Sequence, residues 1–230
     1  MMHQLIDKKK NYLLYFFIFI FLSTINNLSL LKHAELFPNI KNIKVEGLTN
    51  DLNLTIKQNV NFLLNENIFF FNKELLINEL KKLNYIHSYK VSKNYPSTVV
   101  INLKQTDLLA ITVNNNNKYI IGSNGKLIDY EIFNSNFNLP NFFGKFSSKD
   151  FVSFINIINQ ANFNYNEISD IFFFQSGRWD IKTINDQTIR LPKENLKKAF
   201  IKATKIIRNN NLNHKLIDLR IPNQVILMNG

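Results

Sequence analysis

The 230-residue chain has no cysteine, one tryptophan, four histidines, five prolines and six glycines. Without cysteine there is no disulfide, no thiolate metal site and no cysteine nucleophile, a usage that suits an exported segment. His3, His33, His87 and His214 are far apart and form no HExxH-type pair, so no metal site is expected. The chain has no Gly-x-Ser-x-Gly elbow. Gly122-Ser123-Asn124-Gly125-Lys126 is too short for a phosphate loop and runs into Leu127 instead of Ser or Thr, so it reads as a hairpin turn. Asp170 and Asp180 read as strand-end and turn residues rather than a catalytic pair. Trp179 reads as a core side chain rather than a sugar platform, and Arg190, Lys197 and Lys198 as a solvated face. No catalytic, cofactor-binding or metal-binding residue is assigned; neither enzyme activity nor a cofactor is expected.

Net charge is +11, which could indicate nucleic acid or anionic lipid. The positive residues are scattered through amphipathic segments instead of forming a block, so no nucleic-acid partner is expected, and no small-molecule substrate either. Hydrophobic residues make up 45% of the chain, enough for packed cores. Asparagine supplies about one residue in six and marks many of the turns.

From Asn11 to Leu31 there is no charged residue, and Lys8, Lys9 and Lys10 stand immediately before that stretch. Its length is close to the ~20 residues a helix needs to cross a bilayer core. A cleaved signal peptide would require a small-x-small pattern after the apolar run Tyr12 to Leu22, but Ser23, Thr24, Ile25, Asn26 and Asn27 lead into another apolar turn, Leu28 to Leu31. The expectation is one retained transmembrane helix over 12–31 with a cytoplasmic tail over 1–11. By the positive-inside rule the lysines keep the N-terminus in the cytoplasm and the remainder lies on the outer side.

Beyond the anchor, Ile43 and Val45 alternate with polar residues and Gly47 ends a short strand. A helix with Ile56, Val60, Leu63 and Leu64 comes after a candidate cap at Asn53, and a second helix begins at Asn72 and buries Leu76, Leu80 and Leu83. Tyr89 and Val91 alternate, Asn94 to Ser97 turn the chain, and Val99, Ile101 and Leu103 alternate again. The order is β-α-α-β-β over about seventy residues, the size of a small module.

A second block opens with a hairpin: Leu109, Ile111 and Val113, a turn at Asn114 to Asn117, then Tyr119 and Ile121. Asn124-Gly125 is another turn, and Leu139-Pro140 to Gly144 reads as a loop. A helix from about Lys149 buries Phe151, Phe154, Ile155 and Ile158. Three strands come next, with Ile171 and Phe173, Trp179 and Ile181, and Ile189 and Leu191, separated by turns at Ser176-Gly177 and Asn185-Asp186. The next helix sets Leu196, Phe200, Ala203 and Ile207 against Lys197, Lys198, Lys202 and Lys205. The last element is a strand from Leu216 to Leu219, interrupted at Pro222-Asn223 and resumed over Val225 to Leu227. Lying near the chain end, with a proline that only edges or bulges tolerate, it is a candidate edge strand open to a partner.

The order of these elements and several strings resemble the FtsQ family of bacterial cell-division proteins, called DivIB in Gram-positive bacteria. The strings are Ile43-Lys44-Val45-Glu46-Gly47, Leu83-Asn84-Tyr85-Ile86, Lys93-Asn94-Tyr95-Pro96-Ser97-Thr98-Val99, Leu139-Pro140 to Gly144, Gly177-Arg178-Trp179-Asp180, Ile189-Arg190-Leu191-Pro192 and Ile217-Asp218-Leu219-Arg220. Three positions depart from the family pattern. Gln105 to Ala110 replaces Glu-Arg-x-Pro-x-Ala except for the alanine, Ile221 stands where relatives carry tyrosine, and Gln187 where a turn glycine is common.

The resemblance implies an α+β protein: one N-terminal transmembrane helix, a POTRA domain over 40–107, and an antiparallel β domain with flanking helices and a C-terminal edge strand over 108–230. It implies a non-catalytic, single-pass scaffold of the inner membrane, with periplasmic C-terminal domains, that links cytoplasmic division assembly to septal peptidoglycan synthesis. Its implied partners are FtsB-like and FtsL-like proteins and other divisome components, bound by strand addition through Arg220, Ile221, Asn223, Val225 and Leu227. Two alternatives are a POTRA-containing transport or assembly factor and an anchored periplasmic enzyme.

Overall fold

The computed structural model describes residues 4–25, 38–133, 136–209 and 214–229. Helix α1 (Gln4–Ile25) carries Asp7 and the three lysines within its own first turns, so its uncharged part begins at Asn11. Asn11 to Ile25 is about 22 Å of helix at ~1.5 Å per residue, short of the ~30 Å hydrocarbon core. Among the described residues no helix is long and apolar enough to cross a membrane. The expected span over 12–31 therefore differs from α1 at its start, while its end, residues 26–31, lies outside the described residues, as do His3 and His33. Every described side chain from Asn11 to Ser23 is exposed.

The first module is β1 (Asn42–Glu46), α2 (Asn50–Asn59), α3 (Lys73–Lys82), β2 (Ile86–Asn94) and β3 (Thr98–Gln105), the β-α-α-β-β order that the periodicity predicts. Strand β3 is central, parallel to β1 and antiparallel to β2. Gly47, at φ 107°, is required twice over, because a Cβ there would lie 1.9 Å from the Leu103 carbonyl oxygen. Asn72 caps α3 as expected, accepting from Leu75 N–H at 3.1 Å. Asn53 is not a cap: α2 already starts at Asn50, and the Asn53 amide instead pairs with both backbone groups of Leu48. Ile56, Val60, Leu63, Leu76, Leu80, Val99 and Ile101 form the core between helices and sheet, whereas Leu64 is exposed and Leu83 only half-buried.

The second sheet contains β4 (Leu108–Asn114), β5 (Asn117–Gly122), β6 (Leu127–Asp129), β7 (Asn141–Phe143), β8 (Ile168–Phe173), β9 (Trp179–Thr183), β10 (Thr188–Arg190), β11 (His214–Asp218) and β12 (Ile226–Asn229). Their order across the sheet is β12-β11-β10-β9-β8-β7-β4-β5-β6. The expected antiparallel sheet is in fact mixed, since β4 with β7, β7 with β8 and β10 with β11 are parallel pairs. Parallel neighbours need a crossover, and both helices of this half serve as one. Helix α4 (Ser148–Gln160) carries the chain from β7 to β8, and α5 (Leu196–Arg208) from β10 to β11. The expected loop at Leu139 to Gly144 contains β7, an inner strand whose Phe142 is buried. Gly144, at φ 119°, ends it where a Cβ would lie 2.0 Å from the Phe173 carbonyl oxygen.

The core lies between sheet and helices. Trp179 is buried, stacks on Phe154 of α4 with ring centroids 4.0 Å apart, and meets Phe142 and Phe173. Phe151, Phe154 and Ile158 of α4 and Phe200 and Ala203 of α5 are fully or nearly fully buried, as the helical spacing predicts; Ile155, Leu196 and Ile207 are half-buried. Strand β5 belongs to two cores: Ile121 packs with Phe142 and Phe151, and its neighbour Ile120 packs with the first module, as the two-residue period of a strand requires.

Candidate partner-binding edge

Strand β11 is an inner strand, with Ile217 facing Ile189 of β10 on one side and Leu227 of β12 on the other. The final strand expected over Leu216 to Leu227 is thus two antiparallel strands. The chain reverses between them at Ile221 to Gln224, where Asn223 adopts a left-handed φ of 62° and Gln224 N–H donates to the Ile221 carbonyl at 3.2 Å. The open edge consequently belongs to β12 alone. Ile226, Leu227 and Met228 are 43%, 37% and 54% exposed. Its far end is pinned where His214 Nδ1 meets Asn229 Oδ1 at 2.6 Å; His214 Nε2 is buried without a hydrogen-bond partner.

The five expected contact residues fall into two groups. Ile221 is 47% exposed and Asn223 is exposed, both on the turn; Leu227 lies on β12, and Val225 is half-buried against the core. Arg220 is different. Its Nε lies 2.9 Å from both carboxylate oxygens of Asp218, its Nη2 is 2.6 Å from Oδ2, and its own N–H donates to Oδ1 at 3.1 Å. The guanidinium is thus engaged within the chain at the start of the turn, while the side chain stays 41% exposed.

Asp218 is the residue that sequence reasoning misses. It is buried, and in register it faces Arg190, which in turn faces Asp180 of β9. Alternating charges thus cross three adjacent strands. The Arg220 hydrogen bonds hold the Asp218 carboxyl below the usual aspartate range despite its burial. Asp180 shifts the other way. Burial raises it, even though Arg178 Nε donates to it at 3.1 Å. The Asp-x-Arg spacing, which places both side chains on one side of an extended strand, is the available signal.

Between the turn and α5 runs an open groove of about 510 Å³, lined by Leu219, Ile221 and Pro222 and by Lys193, Lys198 and Lys202. Glu194 is the only carboxylate in its lining. Among the described residues no group of three or more histidine or acidic side chains could hold a metal ion. This edge therefore offers unpaired backbone, exposed aliphatic side chains and an adjoining basic groove.

A βααββ module followed by a mixed sheet with an exposed terminal strand defines a protein with a POTRA domain and a β domain. The family model for the FtsQ-type POTRA domain matches residues 39–105, and that for the C-terminal region of cell division protein FtsQ/DivIB matches residues 110–220. The chain belongs to the FtsQ/DivIB family of cell-division proteins. It is 27% identical to cell division protein FtsQ of Rickettsia bellii over 197 residues, covering 83% of this chain and 72% of the relative. To FtsQ of Rickettsia typhi it is 26% identical over 188 residues, covering 80% and 70%. Among solved structures, the major extracytoplasmic domain of the division protein DivIB from Geobacillus stearothermophilus aligns at 10% identity with a TM-score of 0.33, covering 47% of this chain and 98% of that one. The C-terminal family match ends at residue 220, before the turn and β12.

Proposed function

We propose that the chain is a non-catalytic, single-pass membrane scaffold of the divisome that receives an extended segment of an FtsB-like partner, held with an FtsL-like one, along β12. The observation that carries this reading is the four-residue β12, exposed at the edge of a nine-stranded sheet and paired only with β11. Strand addition would satisfy its outward N–H and C=O groups. Ile221 and Leu227 would then offer apolar contact, and the lysines of the adjoining groove favour acidic residues in the partner. Arg220 acts through Asp218 as a positioning residue.

In the same reading residues 1–11 are a cytoplasmic tail, 12–31 the anchor, 40–107 the POTRA domain and 108–230 the β domain, with the C-terminal domains in the periplasm. The uncharged sequence from Asn11 to Leu31 and the lysines before it support the anchor and its direction. A phosphatase fused after residue 230 should be active; an inactive fusion overturns the topology.

Binding itself is tested with Leu227→Pro and Leu227→Ala in the full chain. Proline removes a backbone donor and strains the strand, whereas alanine keeps the backbone. Partner capture should be lost with proline and largely kept with alanine, with each variant's fold checked by circular dichroism. A folded proline variant that binds the partner normally would show that β12 is not the interface.

A further inference from the structure

The first module carries an exposed apolar cluster where the chain enters it. Three segments meet there. Ile68 N–H donates to the Pro38 carbonyl at 3.1 Å and Asn65 N–H to the Ile40 carbonyl at 3.0 Å, while the amides of Lys41 and Asn42 both reach the Ser97 carbonyl. On this end Phe70 is 76% exposed, Tyr95 60%, Phe69 42% and Leu64 37%, and Phe69 stacks on Tyr95 with centroids 5.1 Å apart. Lys93 flanks the rings, donating to the Phe69 carbonyl at 3.1 Å and lying over the Phe71 ring; Glu66 is the one carboxylate in these segments.

We infer that this end rests on the lipid surface into which α1 inserts, an inference that builds on the anchored reading above. Position is the argument. Only residues 26–37 separate Ile25 of α1 from Pro38, so the entry end lies within ~45 Å of α1 even with the link fully extended. A link of that length makes contact between this end and the bilayer an intramolecular event. The chemistry also fits. Aromatic side chains beside lysines are what the headgroup layer accommodates, the rings lying at the boundary and the cations against anionic phosphates. Ordinary packing leaves single apolar residues exposed, but here three aromatic rings meet at the point of attachment.

Because the chain has no cysteine, a single introduced thiol can be labelled uniquely. The full chain is reconstituted in vesicles of phosphatidylethanolamine and phosphatidylglycerol, bearing an environment-sensitive fluorophore at Phe70→Cys, Tyr95→Cys, Phe17→Cys of α1 or Ile184→Cys, the last at an exposed site in the turn between β9 and β10. Nitroxide lipids should quench the labels at 17, 70 and 95 and leave 184 unquenched. At 70 and 95 a nitroxide near the headgroup should quench more than one near the chain end, since an interfacial group lies roughly 5–10 Å deep. Quenching at 17 with 70 and 95 no more quenched than 184 overturns the inference and leaves the anchor standing. Labels at 70 and 95 that are blue-shifted but unquenched mean that protein covers this end, which also overturns it. Quenching equal at all four sites marks adsorption without orientation and does the same. No quenching at 17 removes the anchor, and the inference with it.

Discussion

The nine-stranded sheet ends in two different ways. At one edge, β6 is three residues long and closed by the first module. Ile128 is buried in that module's core, the Leu127 carbonyl accepts from the Asn84 side chain at 2.9 Å, and Phe133, just beyond β6, meets Tyr85 edge-on at 6.3 Å. At the other edge, β12 exposes all four residues. Both are short strands, and a short strand limits the backbone that an edge presents. The difference lies in how each edge is covered. A 3-10 turn and an aromatic seam after β6 fold against the first module, whereas no described element packs over β12. One edge is covered within the chain, and the other is left exposed among the described residues.

If that contrast is right, the cost of truncating a side chain falls from the middle of the sheet to the open edge. Trp179→Ala at the centre should cost roughly 3–5 kcal/mol, through lost burial and the cavity left under Phe154. Ile128→Ala at the closed edge should cost roughly 2–5 kcal/mol. It should also shift the unfolding of both halves together, since Ile128 and Ile120 belong to the first module's core. Urea unfolding of the protein in detergent measures both. An Ile128→Ala variant no less stable than the parent would show that β6 is not closed by the first module and remove the contrast.

Much of the fold is legible in the residues, and the misses share a cause. Alternation points to β1, β3, β5, β8 and β9, although β5 buries both of its faces, and helical spacing identifies the buried faces of α3, α4 and α5. Strand β7 reads as a loop because it is only three residues long, comes after a proline and ends at Gly144, so its inner position comes from neighbours distant in sequence. The parallel pairs escape notice for the same reason, since strand direction is set by the α4 and α5 crossovers. Pro222, which reads as part of an edge strand, lies instead in the turn before β12. The reversal at Asn223 escapes, because a left-handed asparagine in an asparagine-rich chain carries no distinguishing signal. Arg220 reads as a candidate partner contact; that the Asp218 carboxylate beside it is buried depends on the pairing with β10, distant in sequence.

That pair provides the next measurement. Arg220→Ala leaves Asp218 with one backbone donor and Arg190 3.7 Å away, and should cost roughly 1–3 kcal/mol, the range for a buried polar group losing its partner. The folded-state pKa of Asp218 lies below its unfolded value of about 3.9. The stabilisation is therefore fully present above that value and disappears as pH falls through the lower, folded one. The stability gap between parent and Arg220→Ala should be flat at neutral pH and narrow in acid. A gap that widens in acid would mean that Asp218 is not the group that Arg220 holds.

The smallest effect belongs to the open edge itself. Ile226→Ala removes a side chain that is already 43% exposed, on a strand paired on one side only, and should change stability by no more than about 0.5 kcal/mol. A strand whose side chains add little to folding yet keep an exposed aliphatic surface fits a site reserved for binding. Stability and partner affinity, measured on the same variant, should therefore separate: little change in the urea midpoint, and a measurable loss of affinity if Ile226 faces the added strand. If Ile226→Ala destabilises the chain as much as Ile128→Ala does, β12 is part of the folded core, and the two edges do not differ in the way their exposure indicates.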